Sequence, residues 1–401
     1  MTTHTDFMLR GAVALALILT LTFSLSSPQP VRAAIITVDS TDDNTTASDG
    51  NCTLREAINN ANDTTNNGQT TGGECAAGNP SGGDTIDFSV TGTITLTATL
   101  EINEDLTISG PGASVLAISG GGAHRVFKVN INFYDEVTAE ISDLTIRDGN
   151  SEDGGGIYNN GEALTVTNCT FSGNSADDGG VIYQSSGTAT VTVTNCTFSG
   201  NSAEYDGGVI YQNSGTATVT NSTFSDNSAG RRGGGINSNN ALTVTNSTIY
   251  SNTASSGGGI CHSQGTATVT NSTIYSNTAS SGGGIYQYCG FSWNTGTLTV
   301  TNSTLSGNSA VNGGGLYRNN ERCTPHLRNT IIANSTGGDC VKNETSAVTE
   351  TLATNTNNLI EDNTCSPAVS GDPNLGPLAD NGGDTHTHAL LPGSPAIDAG
   401  D

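Results

Sequence analysis

Beyond residue 84 the apolar residues alternate with Thr and Ser instead of recurring at every third or fourth place. Leu164, Val166 and Phe171, like Leu242, Val244 and Ile249, are separated by hydroxylated residues, the pattern of short strands with one face buried. Thr, Val, Ile and Tyr suit strands, and the runs of Ala, Glu, Lys and Leu that would make helices are missing. Ile86 and Phe88, Ile94 and Leu96, Leu106 and Ile108, Val126 and Phe127, and Ile141, Leu144 and Ile146 supply inward residues over 84–150. The same kind of strand is therefore expected there.

From Gly154 to Asn334 the alternation is periodic. Asn168, Asn195, Asn221, Asn246, Asn271 and Asn302 form one column, opened by Asp143 and closed by Asn329, with steps of 25, 27, 26, 25, 25, 31 and 27 residues. About six residues later comes a second column, Asn174, Asn201, Asn227, Asn252, Asn277 and Asn308, with Asn334 after it. A glycine block, GGGIY or a variant, starts at Gly154, Gly179, Gly207, Gly233, Gly257, Gly282 and Gly313. Such a period predicts a stacked array. Each repeat holds about three short strands joined by Gly, Asn and Ser bends. One coil cannot bury its own inner face, whereas stacked coils can. The predicted fold is all-β: a right-handed, single-stranded parallel β-helix over 84–334, of the pectate-lyase-like kind.

The asparagine columns are expected at bends, where Asn tolerates the left-handed conformation and where each amide donates to one neighbour and accepts from the other. Both columns are read as ladders inside the wall. Cys169, Cys196, Ser222, Ser247, Ser272 and Ser303 follow the first column, a stack of small side chains that points to a narrow inward corner.

The one convincing helix begins at Thr53. Thr53 and Glu56 have capping-box spacing, and Leu54, Ala57, Ile58 and Ala61 make one apolar face. A solenoid end exposes strand edges, so residues 34–83 are read as a cap laid over the first coil. Residues 335–375 lose the period and are expected as a loose last coil or insertion. Residues 376–401, with Pro392 and Pro395, are expected as an irregular C-terminal cap.

Composition narrows the partners. The chain carries 12 Lys plus Arg against 37 Asp plus Glu, a net charge of −25, which disfavours nucleic acid and anionic membrane. Arg10, the apolar run from Gly11 to Leu25 and Val31-Arg32-Ala33 read as a secretory signal peptide over residues 1–33. No membrane span is expected after its removal, and the product is expected to be secreted or held at the cell surface. All nine cysteines lie beyond the leader, as suits an oxidising compartment. Cys52 with Cys75 is the preferred bridge because both flank the cap. Cys261 with Cys289 fits neighbouring coils, and Cys169 and Cys196 are either bonded or stacked as thiols.

Three segments carry a resemblance. NCTLREAINNAN, from Asn51, resembles the N-terminal CSLREA-type domain of bacterial exported proteins. GGGIY paired with FSGN is similar to the repeats of chlamydial polymorphic outer membrane proteins. GPLADNGGDTHTHALLPGSPAIDAGD, from Gly376, resembles the choice-of-anchor Q segment. The resemblance implies a secreted or surface-displayed, outer-membrane-associated right-handed β-helix, adhesin-like and mostly without assigned activity. No autotransporter barrel pattern accompanies these segments, and LPGS from Leu391 has no hydrophobic tail that would suit sortase attachment.

Candidate chemistry is sparse. β-Helices include pectate lyases and polygalacturonases, but a lyase needs cations beside a uronate and a hydrolase needs paired carboxylates. Lys128 and Lys342 are the only lysines, and no GHG or RIK segment is present, so a non-enzymatic protein is expected, with no catalytic residue. A polysaccharide-active enzyme and a structural envelope protein are the alternatives. The bend before each glycine block is chemically uneven: Glu152 and Asp153, Asp177 and Asp178, Glu204 and Asp206, then Arg231 and Arg232. Oxygens from successive bends suit Ca²⁺, with Asp153, Asp177, Asp178, Glu204 and Asp206 as its ligands; otherwise the bend is a solvated acidic ridge. No other cofactor is expected. His386 and His388 lack a third metal ligand, and the N-x-S/T triplets are read as wall positions rather than glycan acceptors. Tyr158, Tyr183, Tyr211, Tyr286 and Tyr317 follow the glycine block and would form a glycan-binding row if they point outward.

Overall fold

The computed structural model describes residues 33–46, 48–64, 74–80, 83–130, 136–185, 187–188, 190–289, 296–320, 322–343 and 352–400. The expected leader, residues 1–33, lies outside them apart from Ala33.

The chain winds as a right-handed parallel β-solenoid of about 10 turns. In one coil Ala163–Thr167 is followed by a bend at Asn168, Thr170–Ser172, a bend at Asn174, Ser175–Asp178, a glycine turn and Ile182–Gln184. Each strand pairs in parallel with its counterpart one coil on, building sheets of 12, 11 and 10 strands and a 4-stranded sheet on the acidic bend. Most coils hold the three short strands expected, and four successive coils add a fourth, Asn150–Asp153, Ser175–Asp178, Ser202–Ala203 and Ser228–Ala229.

Register explains why the repeat is so regular. Val166 partners Val193, which partners Val219, and Phe171, Phe198 and Phe224 stack with centroids 4.9 and 4.6 Å apart. Alternation sends these side chains into one continuous buried core, while the intervening threonines face out. The turn glycines are forced where chain meets chain: at Gly180 an added Cβ would lie 2.3 Å from the Gly208 carbonyl oxygen.

The solenoid is longer than the periodicity suggests. Ile35–Val38 is already a strand of the 12-stranded sheet, paired with Asp84–Phe88. At the other end Cys340–Lys342, Thr354–Thr356 and Leu359–Ile360 continue all three large sheets. These strands are too short and too polar to show a repeat, and their pairing alone places them.

Leu54–Ala61 forms the helix, with both halves of the capping box at Thr53 and Glu56 and with Leu54, Ala57, Ile58 and Ala61 buried. Arg55 pins it to the first coils, pairing with Asp43 at 2.8 Å and donating to the carbonyls of Ala98 and Thr99. Cys52 is bonded to Cys75. Cys289 pairs with Cys323, and Cys340 with Cys365, which corrects the expected Cys261–Cys289 bridge. Cys261 sits mid-strand, in register with Tyr286, whereas Cys289 follows that strand at the corner from which Cys323 opens the next coil. Cys169, Cys196 and Cys261 remain free and buried.

The C-terminal segment is ordered differently from expectation. Leu375–Ala379 and Thr387–Leu390 form an antiparallel pair that lies against the side of the solenoid. Thr248 Oγ1 donates to the His386 carbonyl at 2.6 Å, Thr385 Oγ1 to that of Asn246 at 3.1 Å, and His388 meets Tyr275 edge-on at 4.7 Å. It is a strap on the wall, held by contacts some 138 residues distant in sequence.

Candidate functional site

The two asparagine columns separate. In the second column the amides point inward and form an unbroken ladder: Asn174 Nδ2 donates to Asn201 Oδ1 at 3.0 Å, Asn201 to Asn227 at 3.0 Å, Asn227 to Asn252 at 2.9 Å, Asn252 to Asn277 at 2.9 Å and Asn277 to Asn308 at 3.0 Å. Each oxygen also accepts the backbone N–H of the preceding Asn, so no amide is left dry and unpaired. Asn168, Asn195, Asn221, Asn246, Asn271 and Asn302 do have positive φ, near +50°, but their side chains are exposed or half-buried. They hydrogen bond along the outer surface, Asn195 to Asn168 at 3.2 Å and Asn271 to Asn246 at 3.3 Å. The reading of both columns as lying within the wall holds for the second only. At the first, the following Cys or Ser takes the inward place: Ser222 Oγ accepts from the Cys196 amide and Ser247 Oγ from that of Ser222.

The acidic bend also splits in two. Glu152, Asp177 and Glu204 are exposed, while Asp153 and Asp178 are half-buried and Asp206 is buried. Asp153 stands in register with Asp178, and the Asp206 amide donates to Asp178 Oδ1 at 2.9 Å. Among the described residues no group of three or more His, Cys, Asp or Glu side chains is arranged to hold a metal ion. The expected calcium cage of Asp153, Asp177, Asp178, Glu204 and Asp206 therefore does not assemble: strand neighbours Asp177 and Asp178 point opposite ways, and the extra residue Tyr205 separates exposed Glu204 from buried Asp206.

Desolvation pushes the carboxyls of Asp153, Asp178 and Asp206 above the usual range. Neighbouring carboxylates add to this at all three, while Arg125 opposes it at Asp153, the Asp206 amide and Arg231 at Asp178, and Arg231 and Arg232 at Asp206.

Beside this file runs the tyrosine row. Ile157 and Asn159 face the core, so Tyr158 between them faces out, and the pattern recurs at Tyr183 and Tyr211. Tyr158 and Tyr183 stack at 5.5 Å, and Tyr183 and Tyr211 lie 5.1 Å apart. Asn237 and Cys261 interrupt the row before Tyr286 and Tyr317 stack again at 5.6 Å, with Tyr286 itself buried. Burial and the charges of Asp153 and Asp178 hold the Tyr183 phenol well above its ordinary range, so it stays a hydrogen-bond donor.

Cations close both ends. Arg125 lies over the Tyr158 ring at 5.0 Å and binds the Asp153 carbonyl, with Lys128 at 5.7 Å from the same ring; at the far end Arg232 lies over Tyr288 at 5.0 Å. The sequence reading missed Arg125 and Lys128. Matching FKV at 127–129 to IYN at 157–159, the register the structure shows, would have found Lys128. Arg125 sits in the preceding bend, where no repeated residue marks the place.

No curated protein and no solved structure matches the chain. A family model described as "Right handed beta helix region" matches residues 129–295. That span holds the Tyr and Asp files and most of the Asn ladder, and it agrees with the coiled architecture as a β-helix repeat region.

Proposed function

We propose that the chain is a secreted or surface-displayed β-helix that binds saccharide non-enzymatically along the Tyr158, Tyr183 and Tyr211 row. The observation that carries this reading is the juxtaposition of outward aromatic rings, one per coil, with Asp153, Asp178 and Asp206. Because the ring faces lie against one another, the row offers a sugar its ring edges and phenolic hydroxyls, and these with the carboxyl oxygens take sugar hydroxyl groups. The adhesin-like resemblance supports the same role. Screening the purified chain on a glycan array tests it: binding is expected, with Tyr183→Ala weakening it about tenfold, the loss of about 1.4 kcal/mol from its hydroxyl and ring edge. A folded chain that retains no glycan would overturn the reading.

One observation favours a second reading, polysaccharide cleavage. Asp153 and Asp178 stand in register on adjacent coils, and burial raises both carboxyls above the ordinary range, as a general acid beside a second carboxylate requires. Release of reducing ends from a bound glycan, abolished by Asp178→Asn, would replace the first reading with this one.

A further inference from the structure

The outer face of the 12-stranded sheet is independent of that site. Six successive strands present Thr-x-Thr outward: Thr165 and Thr167, Thr192 and Thr194, Thr218 and Thr220, Thr243 and Thr245, Thr268 and Thr270, Thr299 and Thr301. All are in register, Thr165 on Thr192 on Thr218 and onward to Thr299, with the second file matched likewise. The intervening Val side chains lock the face to the core, and all twelve threonines are half-buried.

Three features of this face constrain its partner. None of the twelve positions carries a charge, in a chain of net charge −25; charge returns at its borders, with Glu140 on one side and His326 and Arg328 on the other. Such a surface complements a neutral partner. Its hydroxyls, which have no side-chain partner among the described residues, are free to donate and accept. They form a grid repeating at about 4.8 Å between strands and about 6.6 Å along each strand. Both repeats lie close to oxygen spacings on the prism face of hexagonal ice, a lattice of neutral donors and acceptors. Because β-branched Thr holds few rotamers, ordering twelve such side chains against a lattice costs little entropy.

We infer that this threonine face adsorbs to ice. Adsorption by a fixed grid has a specific signature: crystals grow faceted, and the freezing point falls below the melting point. The full chain is assayed for crystal shaping and thermal hysteresis, alongside Thr218→Tyr/Thr243→Tyr, which places two bulky rings at the centre of the grid, and Ser199→Ala on the 11-stranded sheet as a control. The expected result is faceted crystals and hysteresis for the parent and the control, with at least a fivefold loss in the double variant at unchanged circular dichroism and urea midpoint. Should the double variant unfold, the smaller Thr218→Val/Thr243→Val pair is read instead, with a partial loss expected. Unshaped crystals with the folded parent, full activity in a folded variant, or retention on crystalline cellulose without any effect on ice would each overturn the inference.

Discussion

Asn227 Nδ2 donates to Asn252 Oδ1 across 2.9 Å inside the core, and Asn227 Oδ1 in turn accepts both the side-chain and backbone N–H of Asn201. One amide therefore ties three coils. Deleting it strands two donors of Asn201 where water cannot reach. Asn227→Ala is expected to cost about 2–4 kcal/mol, read as a fall in the urea midpoint. Asn221, half-exposed at φ +49°, needs only the left-handed bend. Asn221→Gly should stay within about 0.5 kcal/mol of the parent. Equal losses at the two sites would remove the distinction between inner and outer ladder.

His262 is fully buried, in register with Ser238 and Gln287. Burial drives its pKa down to about 4 from an ordinary 6.5. A base depressed on folding contributes stability that is present above the unfolded value and lost as pH falls through the folded one. Between pH 6.5 and about 4 the parent should lose stability more steeply than His262→Gln. Parallel melting curves for the two proteins over that window would show this contribution to be absent.

Asp339 behaves in the opposite sense. Burial raises its carboxyl to about 6 against the ordinary 3.8, and the charge of Asp362 adds to this, while hydrogen bonds from Ser335 and from the Asp362 amide resist it. A carboxyl raised on folding contributes stability that is full below the unfolded value and lost as pH rises through the folded one. Acidification from pH 7 to 4 should therefore favour the parent relative to Asp339→Asn. A difference that grows toward neutral pH would contradict the sign.

The cysteine pattern makes a counting prediction. Three bridges and three buried thiols mean that a thiol reagent should find almost none in the native protein and three per chain in denaturant without reductant. Replacing Cys289 and Cys323 by Ser opens a loop of 34 residues and is expected to cost about 3 kcal/mol. A count of five after denaturation would remove one of the three bridges.

Much was determined by sequence alone, because a solenoid's order is one-dimensional. Near-equal spacing of Val166, Val193 and Val219 puts like on like, and alternation at period two decides which residues face the core; the coil, the helix with its capping box and the Cys52–Cys75 bridge all follow from short-range pattern. Direction at the bends was decided by tertiary structure. Asn168 and Asn174 have the same chemistry and both sit at turns, but only pairing of the flanking strands sends one outward and the other inward. The same pairing divided the six acidic residues into two files, placed Arg125 over Tyr158, joined Cys289 to Cys323 and laid His388 against Tyr275, more than a hundred residues away in the chain. Each of these depends on which coil lies next to which, and the free energy that fixes it comes from contacts between residues distant in sequence.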